Sequence, residues 1–210
     1  MKVLLLNGSP HEKGCTYTAL EEVAATLNAE GIETEIFQIG TKPLSGCIAC
    51  LKCQELGRCV FKDTVNVFLD IAKDADGFVF GSPVHYASAG GAITSFMDRA
   101  FYSAMRSGRQ IFYLKPAAAV VSARRAGTTA TFDQLNKYFT ISEMPVISSR
   151  YWNMVHGTTP EEVKKDLEGL QIMRILGKNM AWFLKCKEAG IKAGVKFPER
   201  EENIRTNFIR

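Results

Sequence analysis

Four of the six cysteines in this 210-residue chain fall close together, at Cys47, Cys50, Cys53 and Cys59. Thiolates at that spacing can turn inward around one metal centre, whereas neighbours so close in sequence make poor disulfides. Iron-sulfur clusters use compact cysteine sets of this kind, while structural zinc more often takes two separated pairs. As a metal signal the spacing is strong, and it leaves three readings open: a 4Fe-4S cluster, a zinc ion, or free thiols. Cys15 and Cys186 lie far off, and Cys186 reads as a small hydrophobe on a helix.

Three further segments carry turn residues and hydroxyls. Gly8-Ser9-Pro10-His11-Glu12-Lys13-Gly14-Cys15-Thr16-Tyr17-Thr18 delivers backbone N–H groups and hydroxyls to a helix start. Unsatisfied amides and the helix dipole both favour an anion there. A nucleoside-triphosphate loop needs four residues between its glycines and then Lys-Ser or Lys-Thr. Here five separate Gly8 from Gly14 and Cys15 follows. The dinucleotide Gly-x-Gly-x-x-Gly pattern is absent as well, so a monophosphate fits better; equally, Ser, Thr and Gly could simply cap a helix. The second segment, Gly81 to Gly91, places Tyr86 among small residues that would let backbone approach a flat ligand. Tyr86 could equally be an ordinary loop aromatic, and His85 a solvated one. The third, Ser122-Ala123-Arg124-Arg125-Ala126-Gly127, carries two cations. They could stabilise the negative charge of a reduced flavin, hold nicotinamide phosphates, or face solvent.

The elements needed to position these segments follow from hydrophobic period. Lys2 to Leu6 is a continuous apolar run stopped by Asn7-Gly8-Ser9, the pattern of a strand buried on both faces of a parallel sheet. Strands are likewise predicted at 33–39, 76–80, 117–121 and 145–148, with helices at 16–30, 63–73, 90–103 and 129–138. The alternation predicts right-handed crossovers and a doubly wound α/β sheet of five parallel strands in the order 2-1-3-4-5. A long helix is predicted from Thr159 to Cys186, opened by Pro160 and early acidic residues. Its stretch from Met173 to Leu184 is apolar on most sides, so it is either deeply buried or shared with a second subunit. We divide the chain into a domain at 1–150 and a helical extension with a tail at 151–210. Ligands of such sheets bind beyond the carboxyl ends of the strands, where strand order reverses, and the three hydroxyl-bearing loops lie there.

Composition narrows the class. With 46% apolar and 23% charged residues the chain is an ordinary globular one, which excludes disordered, collagen-like and coiled-coil classes. No apolar run approaches the roughly 20 residues of a membrane span, and we expect a soluble, cytoplasmic protein. The net charge of +4 is concentrated in residues 185–210, where Lys and Arg exceed Asp and Glu by three. A basic tail is not a phosphate-tracking stripe, so no nucleic-acid partner is expected.

Gly-Ser-Pro after strand one, Gly-Ser-Pro-Val-x-Tyr after strand three, Phe96-Met97-Asp98-Arg99 in the next helix and the packed cysteines between them appear in a recognisable order. Together they resemble the flavodoxin-like NADPH-dependent FMN reductases, including the iron-sulfur flavoproteins. The resemblance implies FMN with its phosphate on Ser9, Cys15, Thr16, Tyr17 and Thr18. It places the isoalloxazine against Pro83, Val84, His85 and Tyr86, with Ser88 nearby and Ser122, Arg124, Arg125 and Gly127 along the far edge. It further implies NAD(P)H as electron donor and a small-molecule or protein electron acceptor, with a 4Fe-4S cluster on Cys47, Cys50, Cys53 and Cys59. A flavin at a sheet edge and the apolar C-terminal helix both point to a homodimer or homotetramer. His11 and Cys15 depart from the family's usual Arg or Lys and Asn, which shifts the phosphate grip toward backbone amides.

Overall fold

Val3 to Asn7 are buried on both faces of the first strand, β1 (Lys2–Asn7), as a continuous apolar run requires of a central parallel strand. In the computed structural model, which describes every residue except 205, 209 and 210, β1 pairs in parallel with β2 (Glu33–Gln38) on one side. On the other side it pairs with β3 (Gly77–His85). Next come β5 (Ala117–Ala123) and β6 (Met154–His156), both parallel, giving the order β2-β1-β3-β5-β6. A two-residue strand, β4 (Ser88–Ala89), folds back antiparallel on the end of β3. The order reverses between β1 and β3, which makes the crevice beyond their carboxyl ends the natural ligand position.

Helices cover both faces. On one, α3 (Thr64–Ala72), α4 (Gly91–Arg106) and α5 (Thr128–Ile141) bury Phe68, Phe96, Leu135 and Phe139 against Phe78 and Phe80 of β3. Edge-on ring contacts run through this layer, with Phe68 and Phe96 centroids 5.2 Å apart. On the other face, α1 (Cys15–Ala29) and α7 (Leu167–Lys192) bury Leu20, Val23, Met173, Leu176 and Met180 over Val3, Leu5, Val79 and Val120. A Cβ on Gly177 would sit 2.8 Å from Thr26 Cβ, so the missing side chain is what lets α7 lie so close to α1.

The C-terminal third departs from the expected pattern in two places. The fifth strand, predicted at 145–148, makes one bridge there, with Ile147 N–H donating to Ala117 O at 2.8 Å. The regular strand comes later, as Met154–His156 beside Val121–Ala123. Between them Asn153, almost fully buried, donates through its side chain to Ala119 O at 3.0 Å while its carbonyl accepts Val121 N–H at 2.9 Å, so one rung of the ladder is made by a side chain. The single long helix predicted from Thr159 is two, α6 (Pro160–Val163) and α7, because Asp166 interrupts it as a side-chain cap on Gly169 N–H at 2.9 Å. α7 is amphipathic rather than apolar all round: Met173, Leu176, Met180 and Leu184 are buried, whereas Trp182 is exposed. Among the described residues no helix is long and apolar enough to cross a membrane.

Candidate functional site

The loop after β1 is folded by its own first residue. Asn7, fully buried, donates through Nδ2 to His11 O and Glu12 O at 3.3 and 3.1 Å and accepts Ser9 N–H at 3.2 Å. Gln38 at the end of β2 donates to Ser9 O at 2.7 Å, and Gly8 N–H donates to Gly81 O of β3 at 2.8 Å. A Cβ on Gly8 would meet Ile93 Cδ1 at 2.4 Å and Gly81 O at 2.7 Å, so only glycine permits this approach. The loop delivers the chain to α1, whose cap residue is Gly14. No side chain caps this helix start and no acidic residue stands in its first turn. The same holds for α4, entered through Gly90, and for α5, entered through Gly127. By contrast α3, α6 and α7 are capped by the side chains of Asp63, Thr159 and Asp166. A 15-residue helix left without a cap offers free amides and the positive end of its dipole to an anion.

The predicted phosphate residues divide on inspection. Ser9 is buried, and its hydroxyl accepts His11 N–H at 3.1 Å. Thr18 Oγ1 donates back to Gly14 O at 3.2 Å. The Cys15 thiol lies 3.6 Å from Gly157 O beyond β6, and burial pushes its pKa up. Tyr17 is half-buried with Lys13 Nζ over its ring. Thr16 and Ser122, expected at opposite ends of a flavin, instead touch each other: their hydroxyls are 2.8 Å apart and both residues are buried. That pair ties α1 to β5. To an anion the loop offers its backbone amides, with the Ser9 hydroxyl, which accepts His11 N–H and keeps its own proton, and the exposed Lys13 beside them.

β3 runs past the sheet into a hairpin with β4, turning at Tyr86 and Ala87. Tyr86 has φ of 62°, and Ala87 N–H donates to His85 O at 2.8 Å, a three-residue turn that side-chain-bearing residues rarely adopt. The strain holds Tyr86 fully in solvent, 104% exposed. Pro83, Val84 and Ser88 are half-buried around it and His85 is exposed. Gly127, in the left-handed region at φ 91°, brings the third loop against this hairpin, since a Cβ there would sit 2.7 Å from Val84 Cγ1. Arg124 and Arg125 are exposed at the same edge. The second and third loops are thus brought together, as predicted, beside the uncapped start of α1.

The comparisons with known proteins agree with this geometry. Residues 1–159 match the family described as NADPH-dependent FMN reductase. The chain belongs to that family. An iron-sulfur flavoprotein of Methanocaldococcus jannaschii is 34% identical over 88% of this chain and 98% of its own. Another, from Archaeoglobus fulgidus, is 28% identical over 87% of this chain and 97% of its own. Among solved structures, RosB with a bound 8-demethyl-8-formylriboflavin-5'-phosphate superposes with a TM-score of 0.68 at 16% identity, covering 100% of this chain and 92% of that one. The chain thus carries a flavodoxin-like fold within a family named for FMN.

The cysteine segment lies along α4. Cys47, Cys50, Cys53 and Cys59 line one cavity, together with Arg99, Tyr102 and Ser103. The cavity holds about 20 Å³, room for one water-sized group. No group of three or more His, Cys, Asp or Glu among the described residues is drawn into metal-ligand geometry. Four thiols from one short segment thus border a common space, with Cys47 and Cys50 exposed, without being gathered around one centre. Ala49 and Leu51, at φ 51° and 60°, give that stretch its tight turns. Cys53, buried at the start of α2 (Cys53–Leu56), has its thiol pKa raised by burial first and by the neighbouring cysteines second.

Of the two residues that hold this segment, sequence reasoning noted Arg99 only as part of a motif and passed over Asn66. Asn66 of α3, nearly fully buried, accepts Cys59 N–H at 3.1 Å and donates to Cys59 O and Phe61 O at 2.9 and 2.7 Å. Arg99, with a side chain wholly removed from solvent, makes a two-pronged pair with Asp63 at 2.7 and 2.8 Å. It also donates to Cys59 Sγ and to Ser45 O, each at 3.3 Å. Burial works against its charge, but the bonds from Asp63 and Cys59 outweigh it and the guanidinium pKa is raised. A signal existed for both residues: each is polar at a helical position flanked by core residues, Val65 and Leu69 around Asn66, Phe96 and Ala100 around Arg99.

Proposed function

We propose that this protein is an FMN-dependent oxidoreductase that passes electrons from NAD(P)H through bound FMN to a second acceptor. The observation that carries the reading is the uncapped start of α1, set beneath a loop that five hydrogen bonds to Asn7, Gln38 and Gly81 hold in place. Its amides and dipole bind the cofactor phosphate, so recognition is by backbone and His11 and Cys15 are free to vary. The hairpin of Pro83 to Ser88 and the Gly127 turn form the two walls for the ring system. Arg124 and Arg125 place positive charge at that edge, where they oppose the negative charge of a reduced flavin or hold the phosphates of the nicotinamide donor. No side-chain acid or base is required of the chain, whose work is binding, orientation and electrostatics. When bound, FMN supplies hydride acceptance from the nicotinamide.

Two curated relatives are named as iron-sulfur flavoproteins, and this favours a second reading, an electron carrier between protein partners without direct nicotinamide turnover. In either reading the acceptor is a small molecule or a protein, and we propose a homodimer or homotetramer. Anaerobic spectra of protein loaded with FMN separate the two. The reductase reading expects NADPH or NADH to bleach the flavin's visible absorbance. If dithionite bleaches it and neither nucleotide does, the carrier reading replaces it.

A further inference from the structure

We propose that Tyr86, Arg124 and Arg125 form the binding place of the electron acceptor, and that the acceptor is a flat aromatic ring bearing an acid group, a carboxylate or a sulfonate. The inference rests on the reading of the protein as an FMN-dependent oxidoreductase, and it deepens that reading by naming the chemical class of the second substrate.

Tyr86 supplies the ring. Its backbone is held in the left-handed region, at φ 62°, and its side chain stands wholly in solvent, so the ring does nothing to stabilise its own chain. A strained turn that buries nothing has its use in what the side chain meets from outside. The residues beside it are low: Pro83 and Val84 are half-buried and Ala87 has only a methyl group. A flat ligand can therefore lie against the hairpin with the Tyr86 ring on it.

Charge supplies the rest. Gly127 docks the third loop on the hairpin: a Cβ there would lie 2.7 Å from Val84 Cγ1 and 3.6 Å from the carbonyl of Ala87, the residue after Tyr86. Arg124 and Arg125 stand just before that turn, both exposed, and among the described residues neither makes an ion pair. Elsewhere on the surface Arg58, Arg174 and Lys185 are paired with Asp70, Glu22 and Glu30. No acidic residue occurs in 77–97 or in 122–132, the two segments that build this edge, and α5 begins there without a side-chain cap. Two guanidinium groups without counter-ions beside a free aromatic ring suit a ligand that is flat and anionic at once. A neutral ring would leave the charge unused, and an aliphatic acid would leave Tyr86 unused. The phosphates of the nicotinamide donor carry the same charge, and the experiment separates the two.

The test is calorimetric titration of full-length protein loaded with FMN, using naphthalene-2-sulfonate, naphthalene-2-methanol, which has the ring without the charge, and cyclohexanesulfonate, which has the charge without the flat ring. FMN uptake by the wild type is measured first and reads the flavoprotein assignment separately: a wild type that takes up none removes this proposal with it. The loaded wild type should bind naphthalene-2-sulfonate at least tenfold more tightly than either of the other two. The double variant R124Q/R125Q should abolish its advantage over naphthalene-2-methanol. Y86L, at a side chain that stands in solvent, should weaken both naphthalene probes about fivefold and leave cyclohexanesulfonate unchanged. NADP+ is titrated into the same proteins. Absent binding or equal affinities for the three probes in loaded wild type would overturn the proposal and leave the FMN reading standing. A loss in R124Q/R125Q that falls on NADP+ and spares naphthalene-2-sulfonate would overturn it too, and would assign the arginines to the nicotinamide donor.

Discussion

The loop between β1 and α1 and the segment from Ser45 to Phe61, irregular but for the one turn of α2, both carry residues singled out for chemistry, yet they are held by opposite means. The first is folded by backbone and by glycine: Gly8 and Gly14 let it lie against β3 and enter a helix that nothing caps. Its functional groups are main-chain amides. The second is held by buried polar side chains reaching up from the core, Asn66 and Arg99, while its cysteine turn stays exposed. Its functional groups are side-chain sulfurs. A site that presents amides to a fixed anion gains from a rigid loop, because the donors must already point the right way.

The largest effect should come from breaking the clamp under the cysteines. Asp63→Ala removes the partner of a fully buried guanidinium and the cap of α3 together, and a broken buried pair costs about 3–5 kcal/mol; since the carboxylate is partly exposed, the lower end, about 3 kcal/mol, is expected. Chemical denaturation measures this, and FMN affinity should stay unchanged; a parallel loss of FMN binding would show that the two regions are not separate. Gly8→Val attacks the other side. Overpacking against Ile93 and the Gly81 carbonyl should cost about 1–3 kcal/mol and sharply weaken FMN binding. Ile48→Ser, in the exposed cysteine turn, should change stability by less than about 0.5 kcal/mol.

A smaller effect distinguishes strut from ligand. Thr16→Val leaves the buried Ser122 hydroxyl without its partner, at about 1 kcal/mol. Titration with FMN reads the hydroxyl's second role: an affinity at least tenfold weaker is expected if it also serves the phosphate, and an unchanged affinity leaves it a tie between α1 and β5 alone. The smallest effect is that of pH. Burial raises the pKa of Cys15, and burial together with the bond to Asp98 raises that of Tyr138. In the unfolded chain these groups ionise at about 8.5 and 10. Above those values the unfolded state holds fewer protons than the folded one, so stability falls as pH rises through this range. Half-buried Lys115 and Lys187, whose pKa values burial lowers, act in the opposite direction, so the share of Cys15 is read by difference: from pH 8 to 10.5 the wild type should lose more stability, or gain less, than Cys15→Ala.

Much of this was legible in the sequence, and the limits have physical causes. The continuous apolar runs of β1, β3 and β5 can only be central parallel strands, and the order of strands and helices then follows from handedness. The order of the parallel strands was legible, and only the position of the fifth was missed, because the Asn153 side chain supplies the donor to Ala119 O, a tertiary substitution no local period reveals. The break before α7 was written in Asp166 but hidden by helical spacing on both sides. In the site, the turn chemistry of Gly8, Gly14 and Gly127 was readable because glycine marks close approach. The Thr16 and Ser122 pair was not, since two hydroxyls distant in sequence say nothing about whether they face a ligand or each other. The strain at Tyr86 belongs to a backbone angle, which no residue type at that position announces.

The account rests on the uncapped start of α1 as the seat of the cofactor phosphate, and that claim has a direct measurement. Flavin-free protein is titrated calorimetrically with FMN and, separately, with riboflavin, which shares every part of the cofactor except the phosphate. FMN should bind at least a hundredfold more tightly, about 2.7 kcal/mol, with the difference shrinking as salt is raised. Equal affinities for the two flavins would contradict it.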